Sequence, residues 1–195
     1  MSGFGGKTLP ADVVDAAQRG ARDAHALIYE RYADAVFTLA RRLVVDPGKA
    51  EDVLQETFIE VIRSIGGFRG DASLGTWVRH IAVSKALMLL RSSWERRRQA
   101  LPEPDFVVAP DTPDGIADRA LVRAVEQLDA ASRAVVWLYD VEGYTHVEIA
   151  ALMNKTVSFS KSRLARAHEK LRQVLTNDAG GSAADGANSL APVVN

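Results

Sequence analysis

Apolar residues recur at three- and four-residue intervals through two blocks of the chain, 12–98 and 118–175, and lose that rhythm elsewhere. Such spacing gathers them on one face of an α-helix. No run alternates with the period of two that a strand needs, and no internal repeat occurs. The expected fold class is therefore all-α, with two small helical domains. Residues 1–11 are Gly-rich and read as a flexible N-terminus. Between the blocks, residues 99–117 carry Pro102, Pro104, Pro110 and Pro113 among Glu103, Asp105, Asp111 and Asp114. Proline fixes φ and removes a donor, so this stretch reads as an extended acidic linker. Residues 176–195, with their Asn, Asp, Gly, Ala and Ser, carry no packing pattern and read as a disordered tail.

In the first block, Pro47-Gly48 interrupts the chain, and a helix is predicted from Lys49 to about Ile65, ending at Gly66-Gly67. Leu54, Phe58, Val61, Ile62 and Ile65 form its expected buried stripe. Another face carries Glu51, Asp52, Gln55, Glu56 and Ile59. Acids near a helix N-terminus are favoured by the dipole, and sequence physics alone favours a solvated acidic flank. Ile59 beside the acids lends some support to a docking surface instead. Beyond a turn at Phe68-Arg69-Gly70-Asp71, Ser73 is placed to cap a helix whose apolar side is Leu74, Trp77, Val78 and Ile81. Arg69, Arg79, His80, Lys85, Arg91, Arg96, Arg97 and Arg98 make this stretch basic, with Phe68, Trp77 and Trp94 interleaved. Basic residues track a phosphate backbone and aromatics hold unstacked bases. Trp77 by itself reads as core; the segment as a whole reads as a nucleic-acid surface.

In the second block, helices are predicted from about Asp118 to Leu128 and from Ala130 to Glu142, with Gly143 closing the second. Thr145-His146-Val147-Glu148 is a capping-box pattern that opens a short helix. A turn at Asn154–Thr156 leads into a longer helix ending near Leu175. A short capped helix, a tight turn and a longer helix are the ingredients of a helix-turn-helix. Val157, Ser160, Leu164, Ala167, Leu171 and Val174 form the inward stripe of the last helix. Lys155, Lys161, Arg163, Arg166, Lys170 and Arg172 lie largely elsewhere, with Glu169 the one acid among them. Ser158, Phe159, Ser160, Lys161 and Ser162 stand at the end that recognition helices present to base edges.

Composition adds exclusions. The chain of 195 residues is 47% apolar and 25% charged, as for a globular protein, and its formal net charge is -1. With no cysteine, disulfides and thiolate zinc sites are excluded, which fits a reducing cytoplasm. The first twenty residues lack the apolar core of a signal peptide, and no run approaches eighteen apolar residues, so no membrane insertion is expected. His25, His80, His146 and His168 show no metal-ligand spacing. No phosphate-binding Gly loop and no nucleophile elbow occur. No catalytic residue, metal, cofactor or small-molecule substrate is expected, and the chain does not read as an enzyme.

On these residues the chain resembles the extracytoplasmic-function (ECF) class of bacterial sigma factors, in the sigma-70 family. The resemblance runs from about Asp23 to Leu175. It is carried by Ala50-Glu51-Asp52-Val53-Leu54-Gln55-Glu56-Thr57-Phe58, by Phe68-Arg69-Gly70 with Thr76-Trp77-Val78-Arg79-His80-Ile81-Ala82, by Glu142-Gly143-Tyr144-Thr145 with Glu148-Ile149-Ala150, and by Ser160-Lys161-Ser162-Arg163-Leu164-Ala165-Arg166-Ala167. Each block is modest alone; their order around one acidic linker is specific.

The resemblance implies a subunit that binds core RNA polymerase and directs it to promoter DNA, acting in the cytoplasm and on the nucleoid when bound to polymerase. It implies a region 2-like domain at 12–98 and a region 4-like domain at 118–175. Asp52, Gln55, Glu56 and Ile59 would dock on the polymerase largest subunit. Phe68, Arg69, Trp77, Arg79, His80, Ser84, Lys85 and Arg91 would melt and hold the minus-ten element. Ser158, Phe159, Lys161, Ser162, Arg163, Arg166 and Lys170 would contact the minus-thirty-five element. An anti-sigma partner is common in the family, though no residue marks one here. Elements about 25 base pairs apart lie ~85 Å from each other. Residues 99–117 reach at most ~60 Å when extended, and the domains' own widths supply the remainder. Two positions depart from the family: Ser84 stands where Asn is usual in the flipped-base pocket, and Ser158-Phe159 where Gly-Thr is frequent. The competing readings are a dimeric helix-turn-helix repressor or activator, which leaves the first block unexplained, and a protein-binding helical module, which leaves the basic last helix unexplained.

Overall fold

The computed structural model describes residues 3–5, 8–99 and 116–181, with side chains over 3–5, 8–92 and 121–176. Eight α-helices occur among these residues, and no strand. In chain order they are α1 (Ala11–Gln18), α2 (Arg22–Val44), α3 (Pro47–Ser64), α4 (Leu74–Gln99), α5 (Ile116–Glu126), α6 (Ala130–Val136), α7 (His146–Met153) and α8 (Val157–Gly181). The all-α expectation holds, and the helices form two groups. Most of the linker, and the chain after Gly181, lies outside the described residues.

In the first domain α2, α3 and α4 pack on one another in all three pairings. Ile28, Tyr32, Val36 and Leu43 of α2 meet Val53, Phe58 and Val61 of α3 and Val78, Val83 and Leu87 of α4 in one buried cluster. The α2–α3 turn is tight because Val45 takes a positive φ of 64° and Asp46 then caps α3, its carboxylate accepting from the Lys49 amide at 3.1 Å. Pro47 begins α3, where a missing N–H costs nothing. Ser73 caps α4 as expected, its hydroxyl accepting from the Thr76 amide at 3.1 Å.

The N-terminus corrects an expectation. Gly3–Gly5 form a 3-10 turn, and Phe4 is buried against Tyr32, ring centroids 6.4 Å apart. Gly75 allows this: a Cβ there would lie 2.3 Å from the Phe4 carbonyl oxygen. A lone phenylalanine among glycines has no periodicity to announce it, so its burial could not be read from spacing.

In the second domain α5, α6 and α7 all pack on α8. Ser160, Leu164, Ala167 and Leu171 are buried, as the inward stripe requires. Asp129 caps α6, accepting from the Ala131 and Ser132 amides. The chain does not stay α-helical to Glu142: Trp137–Val141 is a π-helical turn, and Gly143 then reverses the chain at φ 75°. The Thr145–Glu148 capping box is present in both directions, Asn154 occupies the left-handed region after α7, and α8 begins at Val157. α8 continues to Gly181, past the expected end at Leu175.

Candidate docking and nucleic-acid surfaces

α3 turns Asp52, Gln55, Glu56 and Ile59 to solvent, one above another as their i, i+3, i+4 and i+7 spacing dictates. Ile62, expected in the core stripe, is 50% exposed and belongs to this face instead. It lies three residues beyond Ile59, so the i+3 relation was visible, but its place beside Val61 suited the stripe equally well. Met88 of α4 is 53% exposed. Between the helices runs a groove of about 210 Å³, with Asp52, Val53 and Glu56 on one wall and Lys85, Met88 and Leu89 on the other. Its surface is mostly apolar, with the acids Asp52 and Glu56 on the α3 wall, Glu56 shared with Lys85 opposite. It suits a partner that brings apolar side chains flanked by cations.

The basic-aromatic segment is less free than its sequence suggests. Phe68 and Trp77 are half-buried against each other, centroids 5.2 Å apart, and Gln18 of α1 donates to the Phe68 carbonyl at 2.7 Å. Arg69 is exposed and near Asp71. Lys85 reaches back to α3, 3.1 Å from Glu60 and 3.7 Å from Glu56. A residue expected on DNA therefore joins one expected on polymerase. Ser84 is exposed, but its hydroxyl donates to the His80 carbonyl at 2.9 Å. It lies two helical turns beyond Trp77 on the same face, ~10 Å along the axis. Arg79 is drawn into an ion pair with Glu142 of the second domain at 3.5 Å. Arg91 is half-buried. The side chains of Trp94, Arg96, Arg97 and Arg98 lie outside the described residues.

At the start of α8, Ser158, Lys161, Ser162, Arg166 and Lys170 are exposed, while Phe159 is half-buried. Lys155 and Arg163 both lie over the Phe159 ring, 5.9 and 5.3 Å from its centroid. Arg163 also donates to both Asp129 carboxylate oxygens, at 3.0 and 3.1 Å. It thereby ties the recognition helix to the cap of α6. Burial works against ionisation of Asp129, yet the hydrogen bonds from Ser132 and Ala131 and the charge of Arg163 prevail and hold its carboxyl below the usual range. Arg166 bonds back to Ser162, and Lys170 reaches the Gln127 carbonyl. Lys161 is exposed, and among the described residues no carboxylate pairs with it.

Two family models match the chain: Sigma-70 region 2 over residues 28–96 and Sigma-70, region 4 over residues 118–171. The RNA polymerase sigma factor CarQ of Myxococcus xanthus is 35% identical over 159 residues, covering 80% of this chain and 91% of that one. The chain belongs to the sigma-70 family. The ECF RNA polymerase sigma-E factor of Escherichia coli is 30% identical over 175 residues, 82% of this chain and 90% of its own. Among solved structures, the sigma factor RpoE in complex with the anti-sigma factor NepR, from Bartonella quintana, superposes with a TM-score of 0.57 at 20% identity, covering 77% of this chain and 96% of that one. That last likeness concerns the fold. This sigma factor, of the ECF class, acts with core RNA polymerase in promoter-directed transcription initiation. No helix among the described residues is long and apolar enough to cross a membrane.

Sequence reasoning missed three things in this sigma factor. Ile62 and Met88 join the exposed α3 face, Asp129 holds α8 in place, and Glu142 meets Arg79 across the domains. The first two had a weak periodic signal. The others depend on residues 34 and 63 positions apart, which no local pattern connects.

Proposed function

We propose that the outward face of α3, with Asp52, Gln55, Glu56 and Ile59, docks the chain on core polymerase, joined by Ile62 and Met88. Phe68, Arg69, Trp77, Arg79, His80, Ser84, Lys85 and Arg91 then act on the minus-ten element, and the start of α8 reads the minus-thirty-five element in the major groove. Within α8, Lys161 contacts DNA and Arg163 positions the helix through Asp129. The observation that carries this assignment is the exposure of Ser158, Lys161, Ser162 and Arg166 at one end of a helix whose opposite stripe is buried. The domains are taken to follow the boundaries 12–98 and 118–175, with 99–117 threading between them as linker. The place of action is the nucleoid, with polymerase. The relative RpoE has been solved with an anti-sigma factor, which supports a partner of that kind here.

The test is reconstitution. Purified chain is added to sigma-free core polymerase on templates carrying candidate promoters, and transcripts are mapped. Start sites that depend on the chain are expected. A helix-turn-helix repressor would yield none.

A further inference from the structure

The stretch from Phe68 to Trp77 is anchored near both ends by the N-terminal segment. Near the Trp77 end the anchor is Phe4, in the 3-10 turn Gly3–Gly5, which packs on α2 and α4 together. The Phe4 ring is buried and stacks on Tyr32 of α2, planes 15° apart. Tyr32 is fixed in turn, being 1% exposed and carrying Arg31 over its ring at 5.2 Å. The Phe4 carbonyl stands against Gly75 in the first turn of α4. A Cβ at that position would come within 2.3 Å of the carbonyl oxygen and 3.2 Å of the Tyr32 ring. Trp77 follows in the same turn, its amide donating to the Ser73 carbonyl at 3.0 Å. At the other end, the Gln18 side-chain amide donates to the Phe68 carbonyl at 2.7 Å. The end of α1 that carries Gln18 is itself held, by Gly20 at φ 86° and by the His25 ring, 2.9 Å from the Ala17 carbonyl. The Phe68 amide donates to the Ile65 carbonyl at 3.0 Å, so both backbone groups of Phe68 are committed. The loop between the anchors, 69–73, is exposed. How the two rings face each other, 5.2 Å apart and tilted by 48°, therefore depends on how the two ends are held.

We propose that Phe4 and Gln18 are positioning residues for promoter opening: they hold the Phe68–Trp77 pair in the geometry that takes an unstacked base of the minus-ten strand. This rests on the assignment of Phe68 and Trp77 to the minus-ten surface. Drawing a base out of the duplex costs free energy that the receiving surface must return. A surface already ordered returns more of it, because no side chain has to be immobilised at the moment of capture. Neither ring is locked by burial, since both are half-buried, so the ordering falls to the backbone on either side. Phe4 is buried and acts through Tyr32 and Gly75 rather than on DNA. Gly75 makes its seat specific: alanine is the better helix former, yet at this position it pushes the Phe4 carbonyl away. The two anchors act at different points on one geometry, and the loss of either lets the ring pair shift. Two aromatic side chains that must be ordered anew slow capture of the strand ~10-fold.

The test uses the full chain in holoenzyme, on a promoter mapped by reconstitution and below the melting temperature of every variant. Lag times of abortive initiation at several polymerase concentrations separate the affinity of the closed complex from the rate of opening. Phe4→Ala, Gly75→Ala and Gln18→Glu, the last keeping the side-chain shape while losing the donor, are each expected to open the promoter ~10-fold more slowly with closed-complex affinity unchanged. Phe4→Leu refills the seat and is expected to restore most of the rate. Phe4→Ala combined with Gly75→Ala is expected to be no slower than either alone, since both empty one seat. Hydrogen exchange of the free chain, read by mass spectrometry, is expected to show protection lost over 65–78 and kept in α3. Should Phe4→Ala fail to fold, Gln18→Glu carries the test. An unchanged opening rate in Gln18→Glu and Gly75→Ala, with or without a lower melting temperature, makes both anchors ordinary packing and overturns the proposal. Failure of the minus-ten assignment shows separately, as a wild-type opening rate for Phe68→Ala, while the exchange result still reports the anchoring.

Discussion

Where α3 meets α4 in the first domain, Asp52 and Gln55 face solvent while Lys85 and Arg79 are held by partners; around the start of α8 in the second, the acids are held and the cations face solvent. Asp52 and Gln55 stand open on α3, whereas Lys85 is shared between Glu56 and Glu60 and Arg79 is taken by Glu142. In the second domain Asp129 is spent on a helix cap and Arg163, Glu148 on the capping box, Asp140 on His168, and Glu142 in the interface. Lys155, Lys161 and Arg166 remain exposed. A chain of net charge -1 therefore shows an acidic face on α3 and a basic one at the start of α8. What a partner meets is the charge left over after internal pairing, which the total does not reveal.

The largest effect should come from breaking the acidic side of that contrast. Reversing Asp52 and Glu56 to Lys should weaken core polymerase binding by ~2–5 kcal/mol, as for an unpaired interface charge. Folding stability should fall by only about 1 kcal/mol, mostly at Glu56, whose replacement sets a like charge beside Lys85. A titration of labelled chain with core polymerase measures it. Unchanged affinity would return the α3 face to a solvated flank.

Removing an acid spent inside the second domain should cost less. Asp129→Ala deletes the α6 cap and should lower stability by ~1–2 kcal/mol. The same carboxyl predicts a pH dependence. Its folded pKa is depressed, so its stabilisation is full above the usual Asp value near ~3.9 and fades as pH falls through the folded value. The gap in melting temperature between wild type and Asp129→Asn should therefore be full at neutral pH and close as pH falls below the usual Asp value. A constant gap between the two curves would contradict the assignment.

The open and tied cations of α8 should separate next. Lys161→Ala should leave the melting temperature unchanged, weaken binding to all promoters alike, and lower the salt slope by about one. Arg163→Ala should cost ~0.5–1 kcal/mol of stability, discounted because the pair is partly exposed. If Lys161→Ala instead relaxes preference at one base pair, it reads a base edge.

The most local effect concerns Ser84. Its one hydroxyl is turned to the His80 carbonyl, whereas Asn offers an acceptor and two donors on a longer arm. Ser84→Asn should sharpen or switch preference at a single minus-ten position, by about 1 kcal/mol, and leave upstream preference alone. Transcription from a library randomised across that region reads it out. Identical preferences everywhere would remove Ser84 from the pocket.

What was legible in the sequence had local causes. The capping box at Thr145, the Ser73 cap, the turn at Asn154 and the α8 stripe all depend on residues within a few positions of each other, where backbone geometry alone brings side chains together. The exposed face of α3 was legible for the same reason, apart from Ile62, which sat on the border between two faces. The fates of individual arginines were not legible. Arg79, Arg91, Arg163 and Arg166 look alike along the chain, yet one enters an interdomain pair, one is half-buried, one pins a helix and one folds back on Ser162 one turn away.

By itself, then, the order of residues determined the helices, their caps, the helix-turn-helix and the family, because each arises from periodicity and near-neighbour hydrogen bonding. Only the tertiary structure decided that Phe4 fills the core beside Gly75, that Trp137–Val141 winds as a π-turn, and that Glu142 holds Arg79. These depend on surfaces far apart in the chain meeting at contact distance. An ion pair or a packed ring gains its energy only within a few ångströms, and that proximity is a property of the folded chain.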